Sequence, residues 1–230
     1  MNTMPRLVEV RRNVLKQNDI LARALRDRFH DAGVCVVSLV SSPGAGKTML
    51  LEKTLTLMRS QWRVGALVGD LATENDAARL ARAAVPVRQI TTGTVCHLDA
   101  AMIERAIEDW RLEDLDLLFI ENVGNLVCPA SFDLGEEMRL ALLSVTEGED
   151  KPLKYPTIFN TADVALITKV DLAAAAEFDL VVAHDNIQQT HPGMPIIEVS
   201  AKTGVGMEDW VELLTSRLHS RAFQLAHHAD

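Results

Sequence analysis

Apolar residues in this chain gather into short runs of strand length, separated by stretches in which they recur every three or four positions. The runs predict strands at 34–40, 63–68, 86–90, 116–121, 139–145, 163–168 and 194–199. The stretches between predict helices at 47–60, 74–84, 97–110, near 153–160, 175–190 and 206–220. Ahead of them, residues 1–30 read as one charged helix with Val10, Val14, Leu21 and Leu25 near a single face, broken by Asp31-Ala32-Gly33. Strands that are apolar throughout and alternate with helices wind into a mostly parallel twisted sheet with helices on both faces. The expected fold is a three-layer α/β domain over 34–220. Residues 1–33 are expected to pack on its outside as an N-terminal helix, and 221–230 to form a flexible tail.

Composition sharpens this picture. The 230 residues are 48% hydrophobic but only 4% aromatic, so Val, Ile, Leu and Ala must fill the core. The net charge is −9 and no stretch gathers Lys and Arg into a block. That argues against nucleic-acid binding through phosphate neutralisation and against a polybasic membrane surface. No apolar run approaches the roughly 20 residues that cross a bilayer. Arg6, Glu9, Arg11, Arg12 and Lys16 leave no signal-peptide core. Three cysteines, Cys35, Cys96 and Cys128, form no C-x-x-C pair, and the expected compartment is the reducing cytoplasm.

Ser41-Ser42-Pro43-Gly44-Ala45-Gly46-Lys47-Thr48-Met49 follows a strand and opens a helix, the context that a P-loop requires. Gly44 and Gly46 let the backbone curl so that several N–H groups face an anion at the positive end of the helix. Lys47 is expected to reach the β- and γ-phosphates, and the Thr48 hydroxyl to bind Mg²⁺. Ser41 stands where a first glycine is usual. A second apolar strand ends in Glu121, placed to hold Mg²⁺ directly or through water. Gly124 follows, positioned to offer its N–H to the γ-phosphate. Asp70, also at a strand end, is the candidate for orienting the attacking water or for an outer-shell Mg²⁺ role; Asp76 is the alternative. An acid at a strand end is more often simply solvated, and the P-loop is what favours the catalytic reading of Lys47, Asp70 and Glu121.

Thr168-Lys169-Val170-Asp171 ends another apolar strand and resembles the Asn-Lys-x-Asp guanine motif, with Thr in place of Asn. One carboxylate at Asp171 accepts both N1–H and N2–H of guanine, whereas adenine presents an acceptor and no amine there. Lys169 is expected to cover the base with its alkyl stem. Ser200-Ala201-Lys202 forms the second base loop, with the Ala201 N–H aimed at guanine O6. The expected ligand pair is GTP/GDP with Mg²⁺.

Cys96, His97 and Cys128 are donors suited to Ni²⁺ or Zn²⁺, and Cys96-His97 is read as a helix start. They lie on different elements, so core packing for the cysteines and a helix-start hydrogen bond for His97 stand as the alternative. Cys35 reads as core; His184, His191, His219, His227 and His228 read as surface. Lys151 and Lys154 are either solvated or responsive to phosphate or to a facing subunit.

Three further segments carry a resemblance: Thr94-Val-Cys-His-Leu-Asp-Ala100, Ile120-Glu-Asn-Val-Gly-Asn-Leu-Val-Cys-Pro129, and Ser144-Val-Thr-Glu-Gly-Glu-Asp-Lys-Pro-Leu-Lys-Tyr-Pro156. With the P-loop they resemble the hydrogenase nickel-incorporation GTPases, the HypB family, from about Gly33 to Trp210. The resemblance implies a SIMIBI-type GTPase fold and a homodimer that depends on nucleotide and metal. It also implies nickel delivery for nickel–iron hydrogenase maturation, with a nickel accessory protein and the hydrogenase large subunit as partners. It favours the metal reading of Cys96, His97 and Cys128. Residues 1–30 lack the Cys-rich or His-rich nickel motif of many relatives, so nickel storage there is not expected. The Thr94-Val95 pair before Cys96 also differs from the Gly-Lys-Gly often seen there, with no clear consequence. Two rival readings remain: an accessory GTPase for another metalloenzyme such as urease, whose Cys-Pro-His pattern is here Cys128-Pro129-Ala130, and a GTP-binding scaffold that scarcely hydrolyses, since no arginine is an obvious transition-state cation.

Overall fold

The structure is a computed structural model that describes residues 6–70 and 75–227. Its first element, α1 (Arg6–Asp31), leads through Gly33 into β1 (Cys35–Ser41), and the P-loop opens α2 (Lys47–Met58). Then come β2 (Val64–Asp70), α3 (Asn75–Leu80), β3 (Val87–Thr91), α4 (Ala100–Ala106) and β4 (Leu117–Glu121). The second half holds β5 (Met138–Ser144), α5 (Lys151–Lys154), α6 (Pro156–Asn160), β6 (Val164–Thr168), α7 (Leu180–Thr190), β7 (Ile196–Val199) and α8 (Met207–His227).

The strands form one sheet in the order β3-β2-β4-β1-β5-β6-β7, and every pairing is parallel. Parallel strands need crossovers, and the helices supply them, which covers both faces of the sheet. The central strands β1, β4, β5 and β6 are buried along their whole length, and successive residues pack on alternate faces. Val37, Leu39, Leu117, Phe119, Leu140 and Leu166 pack towards α2 and α8. Val36, Leu118 and Ile120 pack on the opposite face towards α1 and α4, and Ala141, Leu143, Ala165 and Ile167 towards α6 and α7. On the first face Trp210 of α8 is buried and donates to Thr54 Oγ1 of α2 at 2.9 Å.

Several boundaries differ from the sequence expectation. The buried face of α1 is Asn18, Ala22, Leu25 and Phe29, while Val14 is 51% exposed. The helix expected at 97–110 starts at Ala100, because the Asp99 side chain caps it by accepting from Met102 N at 2.8 Å. The helix expected at 175–190 starts at Leu180 under the Asp179 cap. The last helix continues to His227, past the expected tail boundary at 221, and Arg221 on it bonds Glu137 and the Phe29 carbonyl. Residue His228 of the expected tail lies outside the described residues. Among the described residues, no helix is long and apolar enough to cross a membrane.

In this strand order β1 is the switch point: the chain builds β2, β3 and β4 on one side of it and β5, β6 and β7 on the other. Open parallel sheets bind ligands at the carboxyl ends of strands beside such a point. Ser41, Asp70, Glu121 and Thr168 all end strands at that edge.

Candidate functional site

The loop leaving β1 at the switch point is the P-loop. Gly46 precedes α2 with φ +95°, a left-handed conformation that glycine adopts without strain, and Gly44 has φ +76°. Ser41, in place of a glycine, is fully buried and useful: its Oγ accepts from Lys47 Nζ at 2.9 Å and donates to the Ser42 carbonyl at 2.7 Å. Lys47 is buried, and burial lowers its pKa against the pull of Glu121.

Above this loop lies a pocket of about 520 Å³ whose wall includes Gly44, Lys47, Thr48, Asp70, Glu121 and Gly124. Thr48 Oγ1 donates to Glu121 Oε1 at 2.7 Å. Glu121 is 3% exposed, and burial pushes its pKa up to about 7, with Lys47 and the Thr48 bond opposing and Asp76 and Asp70 assisting. Its second oxygen, Oε2, is buried with no hydrogen-bond partner among the described residues. An orphaned buried carboxylate oxygen beside a hydroxyl is a hard oxygen donor set, which fits Mg²⁺. Asp70 and Asp76 share the pocket wall, so both water-orienting candidates stay within the site.

Gly124 sits against the P-loop. A Cβ on it would lie 2.8 Å from Pro43 Cα and 2.9 Å from Pro43 N, closer than side chains approach backbone. The two segments therefore touch through a residue that must lack a side chain.

Next to the phosphate pocket, and sharing Gly46, Met49 and Lys169 with it, is a pocket of about 230 Å³ lined also by Thr168, Asp171, Leu172, Ser200, Ala201 and Lys202. Thr168 Oγ1 donates to the Ala45 carbonyl at 2.7 Å, and Lys169 Nζ to the Gly44 carbonyl at 2.6 Å. Ser200 Oγ donates to Asp171 Oδ1 at 2.6 Å, which orients the carboxylate at the pocket rim. Every base-reading candidate thus borders one pocket that adjoins the pocket above the P-loop.

Cys96, His97 and Cys128 converge. One ligand atom from each lies within 4.8 Å of the others. The sulfurs are 3.0 Å apart, and His97 Nδ1 is 4.0 Å from Cys96 Sγ. Burial lowers the His97 pKa, which favours the neutral imidazole that ligates metals. Cys96 and His97 lie in the loop before α4 and not on the helix expected there. Cys35 is buried core, its thiol pushed up to about 12 by burial. His184 bonds Glu198, His191 the Phe159 carbonyl, and the His219 ring lies 5.3 Å from that of Trp62. Lys154 pairs with Asp150 at 2.5 Å, and Lys151 lies 5.2 Å from the Tyr155 ring.

Sequence reasoning missed four contributors. Asn122 Oδ1 accepts from Leu98 N at 3.0 Å and from Val123 N at 2.9 Å, and Asn125 Nδ2 donates to the Cys96 carbonyl at 3.3 Å. Phe132 stacks on His97 with ring centroids 3.9 Å apart. Arg79 lines the pocket above the P-loop and donates from Nε to Glu52 Oε2 at 2.6 Å, so an arginine does stand in that wall. The two asparagines lie within the Glu-Asn-Val-Gly-Asn run, where they could have been singled out; Phe132 and Arg79 carry no local signal.

Comparison with known proteins places these features. The family model described as "CobW/HypB/UreG, nucleotide-binding domain" matches residues 35–198. The hydrogenase maturation factor HypB of Azotobacter chroococcum is 49% identical over 208 residues, 90% of this chain and 68% of that protein. The crystal structure of HypB from Helicobacter pylori in complex with nickel superposes with a TM-score of 0.84 at 42% identity, covering 89% of this chain and 96% of that one. The signal recognition particle receptor FtsY from Elizabethkingia anophelis, in complex with GDP, shares the fold at a TM-score of 0.52 and 17% identity. The shared fold, the family match over the sheet and the close HypB relatives agree: this chain belongs to the HypB branch of the CobW/HypB/UreG family.

Proposed function

We propose that the chain binds and slowly hydrolyses GTP and couples its nucleotide state to delivery of Ni²⁺ during nickel–iron hydrogenase maturation. One observation carries this reading: the segment leaving β4 serves both sites. Glu121 and Gly124 line the phosphate pocket, Cys128 belongs to the metal cluster, and Asn122 and Asn125 bond the segment that holds Cys96 and His97.

In this reading the P-loop amides from Gly44 to Met49 and the Lys47 ammonium hold the β- and γ-phosphates. Thr48 and Glu121 hold Mg²⁺, which when bound neutralises phosphate charge. Asp70 orients the attacking water, and the Gly124 N–H faces the γ-phosphate. Asp171 reads guanine N1–H and N2–H, Lys169 covers the ring, Thr168 ties the base loop to the P-loop, and Ala201 with Ser200 and Lys202 closes the base pocket. Loss of the γ-phosphate releases Gly124 from it. The segment then shifts with Cys128 and pulls Leu98 and Cys96 through Asn122 and Asn125, which changes the spacing of the three donors. Switch segments held by a γ-phosphate work in this way.

Two thiolates and one imidazole leave a fourth position for water or for a second copy of the chain. The donor set takes either Ni²⁺ or Zn²⁺; family membership favours nickel as cargo. A cytoplasmic homodimer working with a nickel accessory protein and the hydrogenase large subunit completes the reading.

The test is a Ni²⁺ titration of the protein with GDP and with a non-hydrolysable GTP analogue, its size measured in each state. Linked sites typically differ by roughly 5–150-fold, so a several-fold change in Ni²⁺ affinity is expected, together with a larger particle in the GTP-analogue state. Equal affinities, or undiminished Ni²⁺ binding by Cys128→Ala, would sink the coupling. Single-turnover hydrolysis separates the enzyme from a GTP-binding scaffold.

A further inference from the structure

Asn18 is a buried amide in the middle of α1, upstream of the residues that the family model matches. It is 5% exposed, and both ends of its side chain are bonded to distant backbone. Nδ2 donates to the Asp133 carbonyl at 2.8 Å, and Oδ1 accepts from Ala100 N at 2.9 Å. A buried amide left without partners is costly, so these two bonds hold together.

Their positions are informative. Ala100 is the first residue of α4, three positions after His97. Asp133 follows Cys128 by five positions and adjoins Phe132, whose ring lies on that of His97. One amide therefore bridges the two stretches of chain that carry the cluster. Arg26, two turns further along α1, bonds Asp133 Oδ1 at 2.6 Å, and the same oxygen accepts from Gly135 N at 2.8 Å. The Asp133 end of the clasp is thus fixed from α1 at two points.

We propose that Asn18 is a positioning residue for the Cys96/His97/Cys128 site, clasping the loop before α4 to the segment after Cys128 so that the three donors share one coordination sphere. The proposal rests on the metal reading above. Asn122 and Asn125 tie the cluster to the nucleotide side, and Asn18 ties it to α1, which touches neither pocket of the nucleotide site. Residues that orient metal ligands typically account for about 10–100-fold in metal affinity.

The test uses the full chain, with Asn18→Ala as the main variant and Arg26→Gln as a milder one at a partly exposed position. Two readouts are taken. The first is Ni²⁺ affinity. The second, on metal-free protein, is the rate at which diamide closes the Cys96–Cys128 disulfide: each thiol loses a hydrogen, the sulfurs join, and diamide is reduced to the hydrazine. Buried Cys35 serves as the unreactive reference. In Asn18→Ala, Ni²⁺ affinity should fall at least about ten-fold and disulfide closure should slow several-fold. GTP affinity should stay within about two-fold of the parent, and Arg26→Gln should move both readouts in the same direction by less. Unchanged closure rate and Ni²⁺ affinity in both variants would overturn the proposal. So would a parallel loss of GTP affinity, which marks a general structural role. If the parent protein bound no Ni²⁺ while Asn18→Ala still slowed closure, the nickel function would fall and the clasp would stand.

Discussion

Thr168 Oγ1 donates to the carbonyl of Ala45 across 2.7 Å, so one buried hydroxyl joins the base-reading loop to the phosphate loop. The tie explains how threonine serves where the guanine motif usually has asparagine: the acceptor needs only one donor, and the hydroxyl is that donor. Thr168→Val keeps the shape and leaves the carbonyl unmatched, a loss of about 1–3 kcal/mol. GTP affinity should fall by about ten-fold or more, read by competition against a fluorescent GDP. Thr168→Asn should bind close to the parent, and equal weakening by both variants would show that the tie does not matter.

Glu121 makes the nucleotide-free protein sensitive to pH. Its folded pKa, pushed by burial up to about 7, exceeds the ordinary 4.5 of an exposed glutamate. The folded state therefore holds this proton more tightly, and its contribution is fully present below pH 4.5 and lost as pH rises through 7. The difference corresponds to about 3 kcal/mol. Glu121→Gln does not titrate. Its stability relative to the parent, from urea unfolding without nucleotide or Mg²⁺, should rise by about that amount between pH 4.5 and pH 8. Mg²⁺ needs the carboxylate, so Mg²⁺-dependent nucleotide binding in the parent should weaken below pH 7. A flat difference across this range would show that Glu121 is not the group concerned.

Gly124→Ala puts a methyl group against Pro43 backbone at 2.8 Å, and backbone cannot swing aside as a long side chain can. Overpacking of this kind typically costs about 1–3 kcal/mol. The β4 exit should be pushed off the P-loop, so the variant should lose preference for a GTP analogue over GDP while its GDP affinity changes little. Unaltered nucleotide preference, measured by calorimetry, would remove Gly124 from γ-phosphate sensing.

Arg79 stands in the phosphate pocket wall, bonded to Glu52 on α2. A cation there can stabilise the charge that develops on the transferred phosphoryl group. Arg79→Met should bind GTP within a few-fold of the parent but hydrolyse it at least about ten-fold more slowly in single turnover. Equal rates would remove Arg79 from the hydrolytic step.

Much of the candidate nucleotide site was legible along the chain because its parts are local. A glycine-rich turn between strand and helix, an acid ending an apolar strand and a Thr-Lys-x-Asp turn each declare themselves within a few residues. Once strands and helices alternate, a parallel sheet brings all strand ends of one polarity to the same edge. Local sequence therefore determined the fold class and the side of the sheet where Lys47, Glu121, Thr168 and Ser200 lie. The metal cluster was legible as chemistry but not as geometry. Cys96 follows β3 and Cys128 follows β4, 32 positions later, and whether they meet depends on both strands flanking β2 in a strand order that periodicity does not encode. The helix expected from 97 failed for a related reason: apolar spacing runs through Leu98, but the Asp99 side chain accepts from Met102 N and starts α4 after Cys96 and His97. Asn18, Arg79 and Phe132 lie beyond what the sequence alone determined. An asparagine in a charged helix looks like surface, and only tertiary packing buries its amide between backbone groups 82 and 115 positions away. Such contacts are decided by which helix the sheet places over which loop, and that is settled by burial summed over the whole core.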